Sequence, residues 1–167
     1  LNIQGDGKLT ATGGDLAAAI DGGDSVSFEN IKVTGGEITA LGGRNASGIG
    51  CGMTIDGSSV VVKSIADDGV DSFEGDVAIS NGIFSDGSNW TSHGEVIIKS
   101  TITVSGTFTS ENGSTVTIAE GGKIGGTGSI KVKNGSTIKV ENGGVIDAGS
   151  TIENNGDIFN RGKITTP

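Results

Sequence analysis

Five aspartates in the middle of the chain offer the oxygen ligands that calcium prefers. Asp67, Asp68, Asp71 and Asp76 stand close together in sequence, and Asp86 follows one short strand later. Ca²⁺ takes about six to eight oxygen ligands from carboxylates, carbonyls and water. The spacing differs from that of an EF-hand loop. The same residues also fit a solvated acidic corner that keeps strand edges from associating, and the sequence leaves both interpretations open.

The neighbouring segment 89–93 suggests a sugar-binding surface. It reads Asn-Trp-Thr-Ser-His and holds the only Trp and the only His of the chain. An exposed indole ring is a flat apolar platform on which the C–H face of a sugar can stack, while polar neighbours bind the hydroxyls. We therefore predict that a carbohydrate is bound by Trp90, Asn89, Phe84 and His93. The alternative is that Trp90 folds over a loop and caps the apolar interior.

The composition of the chain excludes several function classes. Its 167 residues include 20 acidic and 11 basic side chains, which gives a formal net charge of −9. Binding to nucleic acid needs clustered cations, so this balance argues against it. One Cys can form neither an internal disulfide framework nor a multi-cysteine zinc site. No apolar run approaches the roughly 18 residues of a membrane span, so we expect no membrane insertion.

Internal repeats predict the architecture. Residues 9–14 recur as residues 38–43 at an offset of 29, Ile20 recurs as Ile49 at the same offset, and Ile3 recurs as Val33. The units then shorten. An offset of 19 relates Ile79 to Ile98 and Ile83 to Ile102, and an offset of 20 relates the successive members of the series Ile98, Ile118, Ile138 and Ile158.

Within each unit, apolar and polar residues alternate over four or five positions and then meet Gly, Asn or Asp. This is the period of short, half-buried strands. Three short strands per turn, stacked turn on turn, make an all-β, single-stranded parallel β-helix (β-solenoid) of about eight coils, and the varying corner lengths favour a right-handed one. We expect one domain over residues 1–167, with longer irregular coils over 1–100 and regular coils of about 20 residues over 101–167. Residues 16–20, rich in Ala, suggest one turn of helix.

Two parts of the chain resemble known families. Residues 35–40 (Gly-Gly-Glu-Ile-Thr-Ala) and 47–52 (Ser-Gly-Ile-Gly-Cys-Gly) resemble the GGTVTATGG…AGIGGG repeats of Gram-positive bacterial surface proteins. Residues 67–84 are similar to the DDGI…GDLTINGG units of a clostridial carbohydrate-binding β-helix family. That family resembles pectate lyases in fold and is known for binding plant polysaccharides and calcium. The resemblance covers about residues 1–100 and implies a role for the aspartates in a calcium site.

These observations predict an extracellular bacterial carbohydrate-binding module that recognises a polysaccharide or other glycan, with Ca²⁺ as a candidate cofactor. The alternative is a passive adhesin or stalk repeat domain, monomeric within a larger secreted or cell-surface protein. A pectate-lyase-like enzyme is less favoured. Such an enzyme typically uses Arg or Lys as its base, and Arg44 and Arg161 lie near opposite ends of the chain, away from the aspartates.

Overall fold

A computed structural model of the chain describes residues 1–20, 31–50, 53–66 and 77–167. These residues form an all-β structure without a helix. Strands from successive turns of the chain pair in parallel, which confirms the predicted β-solenoid, with about six turns rather than eight. The chain divides into two compact units, unit 1 (Leu1–Gly87) and unit 2 (Ser88–Pro167).

Unit 1 is built on the 29-residue repeat. Leu9 stands opposite Ile38, Ile3 opposite Val33, and Ile20 bridges to Ile49, so the repeat found in the sequence is the register of the strands. β1 pairs with β3 and β2 with β4, both β3 and β4 pair with β5, and β5 pairs with β6. The strands are β1 (Asn2–Ile3), β2 (Lys8–Thr12), β3 (Ile31–Val33), β4 (Glu37–Leu41), β5 (Met53–Ile65) and β6 (Val77–Ser85).

The helical turn predicted over residues 16–20 is wrong. Leu16 has a φ of 58°, in the left-handed region, and the Ala17 amide donates to the Gly14 carbonyl at 3.1 Å. A Cβ on Gly13 would lie 2.0 Å from the Ala17 carbonyl oxygen, so the chain folds back on itself more tightly than any other residue allows. The Ala-rich stretch is therefore a close-packed loop, because its glycines bring the backbone together before a helix can begin.

Unit 2 has three strands per turn, as predicted. Each turn contributes one strand to each of three parallel sheets, whose orders are β7-β10-β13-β16, β8-β11-β14-β17 and β9-β12-β15-β18. We call these the first, second and third sheets of unit 2. The strands are β7 (Trp90–His93), β8 (Glu95–Ile98), β9 (Thr101–Val104), β10 (Thr107–Ser110), β11 (Thr115–Ile118), β12 (Lys123–Gly126), β13 (Ser129–Val132), β14 (Thr137–Val140), β15 (Val145–Asp147), β16 (Ile152–Asn154), β17 (Asp157–Asn160) and β18 (Lys163–Thr165).

Part of the predicted register of the shorter coils is wrong. Ile98 is opposite Ile118 as predicted, but Ile118 is opposite Val140 rather than Ile138. Ile138 is opposite Ile158, again as predicted. The difference arises at the corners. The corner between the second and third sheets has two residues (99–100) on the way to Ile118 and four (119–122) in the next coil, which places Val140 opposite Ile118. The corner between the first and second sheets then shortens from 133–136 to 155–156, which restores the offset of 20. The offset of 19 from Ile79 to Ile98 is also not a register, since Ile79 pairs with Ile55 in unit 1.

The interior of unit 2 is filled by apolar side chains that stand in register from coil to coil, and we call each such column a ladder. Each strand contributes about two inward side chains. In the second sheet Val96, Val116 and Ile138 stack in register and are buried. The third sheet adds Ile102, Ile124 and Ile146 in the same way. Burying each such side chain contributes roughly 1.5–3 kcal/mol. Because every second residue of each strand points inward, the residues between them must form the outer surface.

Candidate functional site

Trp90 is a core residue of unit 2. Its side chain is 5% exposed, and it stands in register with Phe108, which is fully buried in the next coil. The indole Nε1–H donates to the carbonyl oxygen of Thr103 at 3.1 Å, which satisfies the one polar atom of the ring. A ring buried in this way offers no face to a sugar. The predicted stacking platform at Trp90 is therefore not found in this structure.

Phe84 is likewise inside unit 1. It is 8% exposed, belongs to the apolar core of that unit and stands opposite Val62 on the neighbouring strand. Its ring is thus also unavailable for stacking. Simple alternation does not account for this, since Ile83, Phe84 and Ser85 at the end of β6 are all buried.

Asn89 and His93 are nearer the surface of unit 2. Asn89 is exposed, and its side-chain oxygen accepts a hydrogen bond from the Thr107 amide at 3.0 Å. This contact ties one corner to the coil above it, so the amide group has a structural role. His93 is half-buried at the end of β7. The four predicted carbohydrate-binding residues thus do not make one exposed surface with an aromatic platform.

The predicted calcium ligands Asp67, Asp68, Asp71 and Asp76 lie outside the described residues. Asp86, the fifth, is exposed in unit 1. Within the part of the chain that the structure describes, no group of three or more His, Cys, Asp or Glu side chains is arranged to hold a metal ion. The calcium site accordingly stays a prediction from the sequence. No helix among the described residues is long and apolar enough to cross a bilayer.

The exposed aromatic ring belongs to a residue that the sequence analysis did not single out. Phe159 on β17 is 59% exposed, whereas the other described aromatic residues, Phe84, Trp90 and Phe108, are buried. The signal was present in the sequence, since Ile158 continues the inward ladder of the second sheet and its neighbour must therefore face outward.

Phe159 lines an open depression of about 310 Å³ beside strands β14 and β17 of the second sheet. We call it the Phe159 depression; it is lined by Lys139, Val140, Glu141, Phe159 and Arg161. Its lining includes one residue from each of two successive corners, Glu141 from the four-residue corner 141–144 and Arg161 from the two-residue corner 161–162.

Two cations line the depression together with Phe159. Lys139 is exposed and stands directly opposite Phe159 in the register of β14 and β17, without an ion-pair partner among the described residues. Arg161 begins the short corner, and its amide donates to the Val140 carbonyl at 2.7 Å. Its guanidinium Nη1 lies 3.7 Å from the Glu141 carboxylate, near the long limit of an ion pair. The depression therefore combines an apolar face with a small excess of positive charge.

Ion pairs also join neighbouring coils elsewhere. Lys133 Nζ donates to both carboxylate oxygens of Glu111 at 2.9 and 2.7 Å. Lys123 Nζ lies 2.8 Å from Asp147, and this hydrogen bond together with the charge of Lys123 lowers the pKa of the Asp147 carboxyl below its ordinary value of 3.8. In unit 1 the Arg44 guanidinium binds both oxygens of Asp15 and lowers the pKa of that carboxyl in the same way. These pairs lie on the outer surface and tie each coil to the next.

Comparison of the chain with known proteins finds no matching family model, no matching curated protein and no matching solved structure. The resemblance to the clostridial carbohydrate-binding family stays a prediction from the sequence motifs.

Proposed function

We propose that this chain is an extracellular bacterial carbohydrate-binding module that contacts its polysaccharide at the Phe159 depression. The observation that supports this proposal is the exposed ring of Phe159 on the second sheet of unit 2, whereas the other described aromatic residues are buried. An apolar ring left in water has a free-energy cost that a stacked sugar removes, because the C–H face of a pyranose covers it. The proposed function is binding without catalysis.

The surroundings of the ring suit a polysaccharide. The outer ladder that ends at Phe159 runs through Ile97, Thr117 and Lys139, one residue per coil. Successive strands of a sheet are about 4.8 Å apart, which is close to the length of one sugar unit in an extended chain. Thr115 and Thr137 add hydroxyl groups to the same outer face. A polysaccharide running across the strands would therefore meet a polar side chain at nearly every sugar.

The test compares three proteins on a glycan array and then by isothermal titration calorimetry with the best ligand. They are the wild type, Phe159→Ala, and Leu9→Ala as a control that removes an exposed apolar side chain from unit 1, away from the proposed path of the polysaccharide. We expect Phe159→Ala to bind about tenfold more weakly or worse, equivalent to about 1.4 kcal/mol. Leu9→Ala should bind as the wild type does. A wild-type protein that binds no glycan, or equal binding by all three, would refute the proposal.

Calcium dependence is a separate part of the proposal and rests on Asp67, Asp68, Asp71, Asp76 and Asp86. A cation that binds the folded chain alone must raise its melting temperature. We expect a higher midpoint in millimolar Ca²⁺ than in EDTA, and a smaller difference for Asp71→Ala. Equal midpoints in Ca²⁺ and EDTA would remove calcium from the proposal and leave the Phe159 depression unaffected.

The ion pairs between coils favour a second function, a stalk that presents other domains away from the cell. A spacer must resist separation of its coils, and the pairs Glu111–Lys133, Lys123–Asp147 and Lys131–Glu153 each join one coil to the next. Single-molecule stretching tests this. A spacer should unfold at a lower force at high salt than at low salt, because salt screens exposed pairs, and a force that does not change with salt would count against it.

A further inference from the structure

We propose that Asn134 and Asn142 are modification sites, at which the folded chain deamidates spontaneously to aspartate or isoaspartate with water as the only reactant. This inference does not depend on the proposed function. It follows from the hydrogen bonds of the corners of unit 2, which leave the amides of Gly135 and Gly143 without a partner among the described residues.

The reaction joins the backbone of a glycine to the side chain of the asparagine before it. The glycine nitrogen attacks Cγ, a new N–Cγ bond forms, and the Cγ–Nδ2 bond breaks. Ammonia leaves with the proton of the glycine amide. Water then opens the resulting cyclic imide at either of its two carbonyls, which gives aspartate or isoaspartate. Glycine favours this attack because it has no side chain to hinder the approach.

Three of the five Asn-Gly pairs of the chain occupy corners of the same kind. In each of these corners the asparagine and the glycine are exposed, and the glycine has a φ between 73° and 81°. The fourth amide donates to the first carbonyl at 2.8 to 3.1 Å, as in a turn with glycine in its third position. Exposure and local geometry therefore do not distinguish the three. They are Asn112-Gly113, Asn134-Gly135 and Asn142-Gly143.

Contact with the next coil protects the first of these pairs. The Gly113 amide donates to the Gly135 carbonyl at 3.2 Å. The Asn112 side chain also lies against the next coil, since a Cβ on Gly135 would be 2.6 Å from its Oδ1 atom. The Gly113 nitrogen must give up its hydrogen bond before it can attack Cγ of Asn112.

The other two pairs lack this protection because the corners that follow them are shorter. The corner 133–136 is followed by 155–156 in the next coil, and the corner 141–144 is followed by 161–162. No carbonyl of these two-residue corners accepts a hydrogen bond from the amide of Gly135 or Gly143. The steps in corner length thus leave two attacking nitrogens to solvent.

The remaining two Asn-Gly pairs are restrained in the fold. Asn81 Nδ2 donates to the Asp56 carboxylate at 2.9 Å, which holds its side chain. In the pair at Asn155, the Gly156 amide donates to Oδ1 of Asn154 at 3.2 Å, so the attacking nitrogen is occupied. We expect both pairs to react slowly in the folded chain.

The test incubates the folded protein at mildly alkaline pH, which favours loss of the amide proton, and measures each pair by tryptic peptide mapping with mass spectrometry. We expect Asn134 and Asn142 to deamidate about fivefold faster than Asn112, because breaking one backbone hydrogen bond of ordinary net strength slows a reaction by about that factor. Incubation in urea is the control, since all five pairs should react at similar rates once the fold is lost.

A corner variant tests the assigned cause. Replacing residues 155–156 by the four residues Lys-Asp-Gly-Ser copies the length of the corner 133–136 and provides a carbonyl opposite Gly135. We expect Asn134 to slow to the rate of Asn112, while Asn142 stays fast as an internal control. If this variant does not fold, the ratio of the folded rate to the urea rate at each wild-type pair decides instead.

Charge provides a second readout. Each conversion adds one carboxylate, so aged wild-type protein should give additional, later peaks in anion-exchange chromatography. Asn134→Gln/Asn142→Gln should remove most of these peaks, and Asn112→Gln should keep them. Equal rates at Asn112, Asn134 and Asn142 in the folded protein, or a faster reaction at Asn112, would overturn the inference. None of these readouts uses a glycan, so a failure of carbohydrate binding leaves them unaffected.

Discussion

Replacing Trp90 should destabilise unit 2 and leave carbohydrate binding intact. The ring is 5% exposed, stands in register with Phe108 and donates its Nε1–H to Thr103. Truncation to Ala removes this buried volume and leaves a cavity, so we expect Trp90→Ala to lose about 3–5 kcal/mol of unfolding free energy. Trp90→Phe keeps an aromatic ring against Phe108 but leaves the Thr103 carbonyl unpaired, and should lose about 1–3 kcal/mol.

The assay is urea unfolding followed by far-UV circular dichroism, since the fluorescent residue itself is changed. Phe159→Ala is the matched control, because it removes an aromatic ring that is 59% exposed and should change the unfolding free energy by no more than about 0.5 kcal/mol. The two aromatic positions should thus have opposite effects, Trp90 on stability and Phe159 on binding. Trp90→Phe serves for the binding measurement if Trp90→Ala does not fold.

One result would refute this reasoning directly. If Trp90→Ala unfolds within about 0.5 kcal/mol of the wild type and binds glycan more weakly, the indole is exposed in solution and the sugar stacks on it. The placement of Trp90 in the core would then be wrong.

Two further predictions concern the contacts between coils. The pKa of the Asp147 carboxyl is lowered by Lys123, so the pair stabilises the fold above the ordinary carboxyl pKa of 3.8; this stabilisation is lost as the pH falls through the lower folded value. Melting temperatures measured from pH 7 down to pH 2 should therefore fall less steeply in Asp147→Asn than in the wild type, and parallel curves would contradict the pairing. A Cβ on Gly128 would lie 2.2 Å from the Gly106 carbonyl oxygen, whereas one on Gly7 would meet nothing within 4 Å. Gly128→Ala should accordingly lower the free energy of unfolding by about 1–3 kcal/mol, because it forces two coils apart. Gly7→Ala should unfold like the wild type. Equal urea midpoints for the two variants would show that the corner at Gly128 can accommodate a Cβ atom.

The strand alternation could be read from the sequence, but the partners of each strand could not be read throughout. The predicted offset between coils at Ile118 was 20 residues, and the observed offset is 22. Both numbers are even, so side chains that point inward with one offset also point inward with the other. Only the length of the corner between two strands decides whether Ile118 meets Ile138 or Val140, and the sequence does not show where a corner ends and a strand begins. The 29-residue repeat was predicted correctly because its corners also repeat in sequence, as in Gly13-Gly14 and Gly42-Gly43.

The aromatic residues show the same limit at the candidate site. Trp90-Thr91-Ser92 matches Phe108-Thr109-Ser110, and the structure pairs these residues in register. That match identifies Trp90 as one rung of an inward ladder, yet the rarity of Trp drew attention to it as a binding residue. The same alternation predicts that Phe159 points outward, because its neighbour Ile158 belongs to an inward ladder. The strand alternation was therefore a better guide to which aromatic rings are exposed than the rarity of the residue type.

A solenoid of this kind can gain a binding site without any change to its strands. The ladders of the second sheet continue from Val116 through Ile138 to Ile158 without interruption, although the corner that follows shortens from 141–144 to 161–162. Glu141 from the longer corner and Arg161 from the shorter one both line the Phe159 depression, so we expect the step in corner length to shape it. Because the strands supply the stability and the corners supply the shape, residues such as Glu141 and Arg161 can vary in ligand preference at little cost to the fold. Lengthening the corner 161–162 by two residues, for example with Asn-Gly, should therefore fill the depression and abolish binding while the melting temperature stays near that of the wild type; intact binding in such a variant would show that the step in corner length does not form the site.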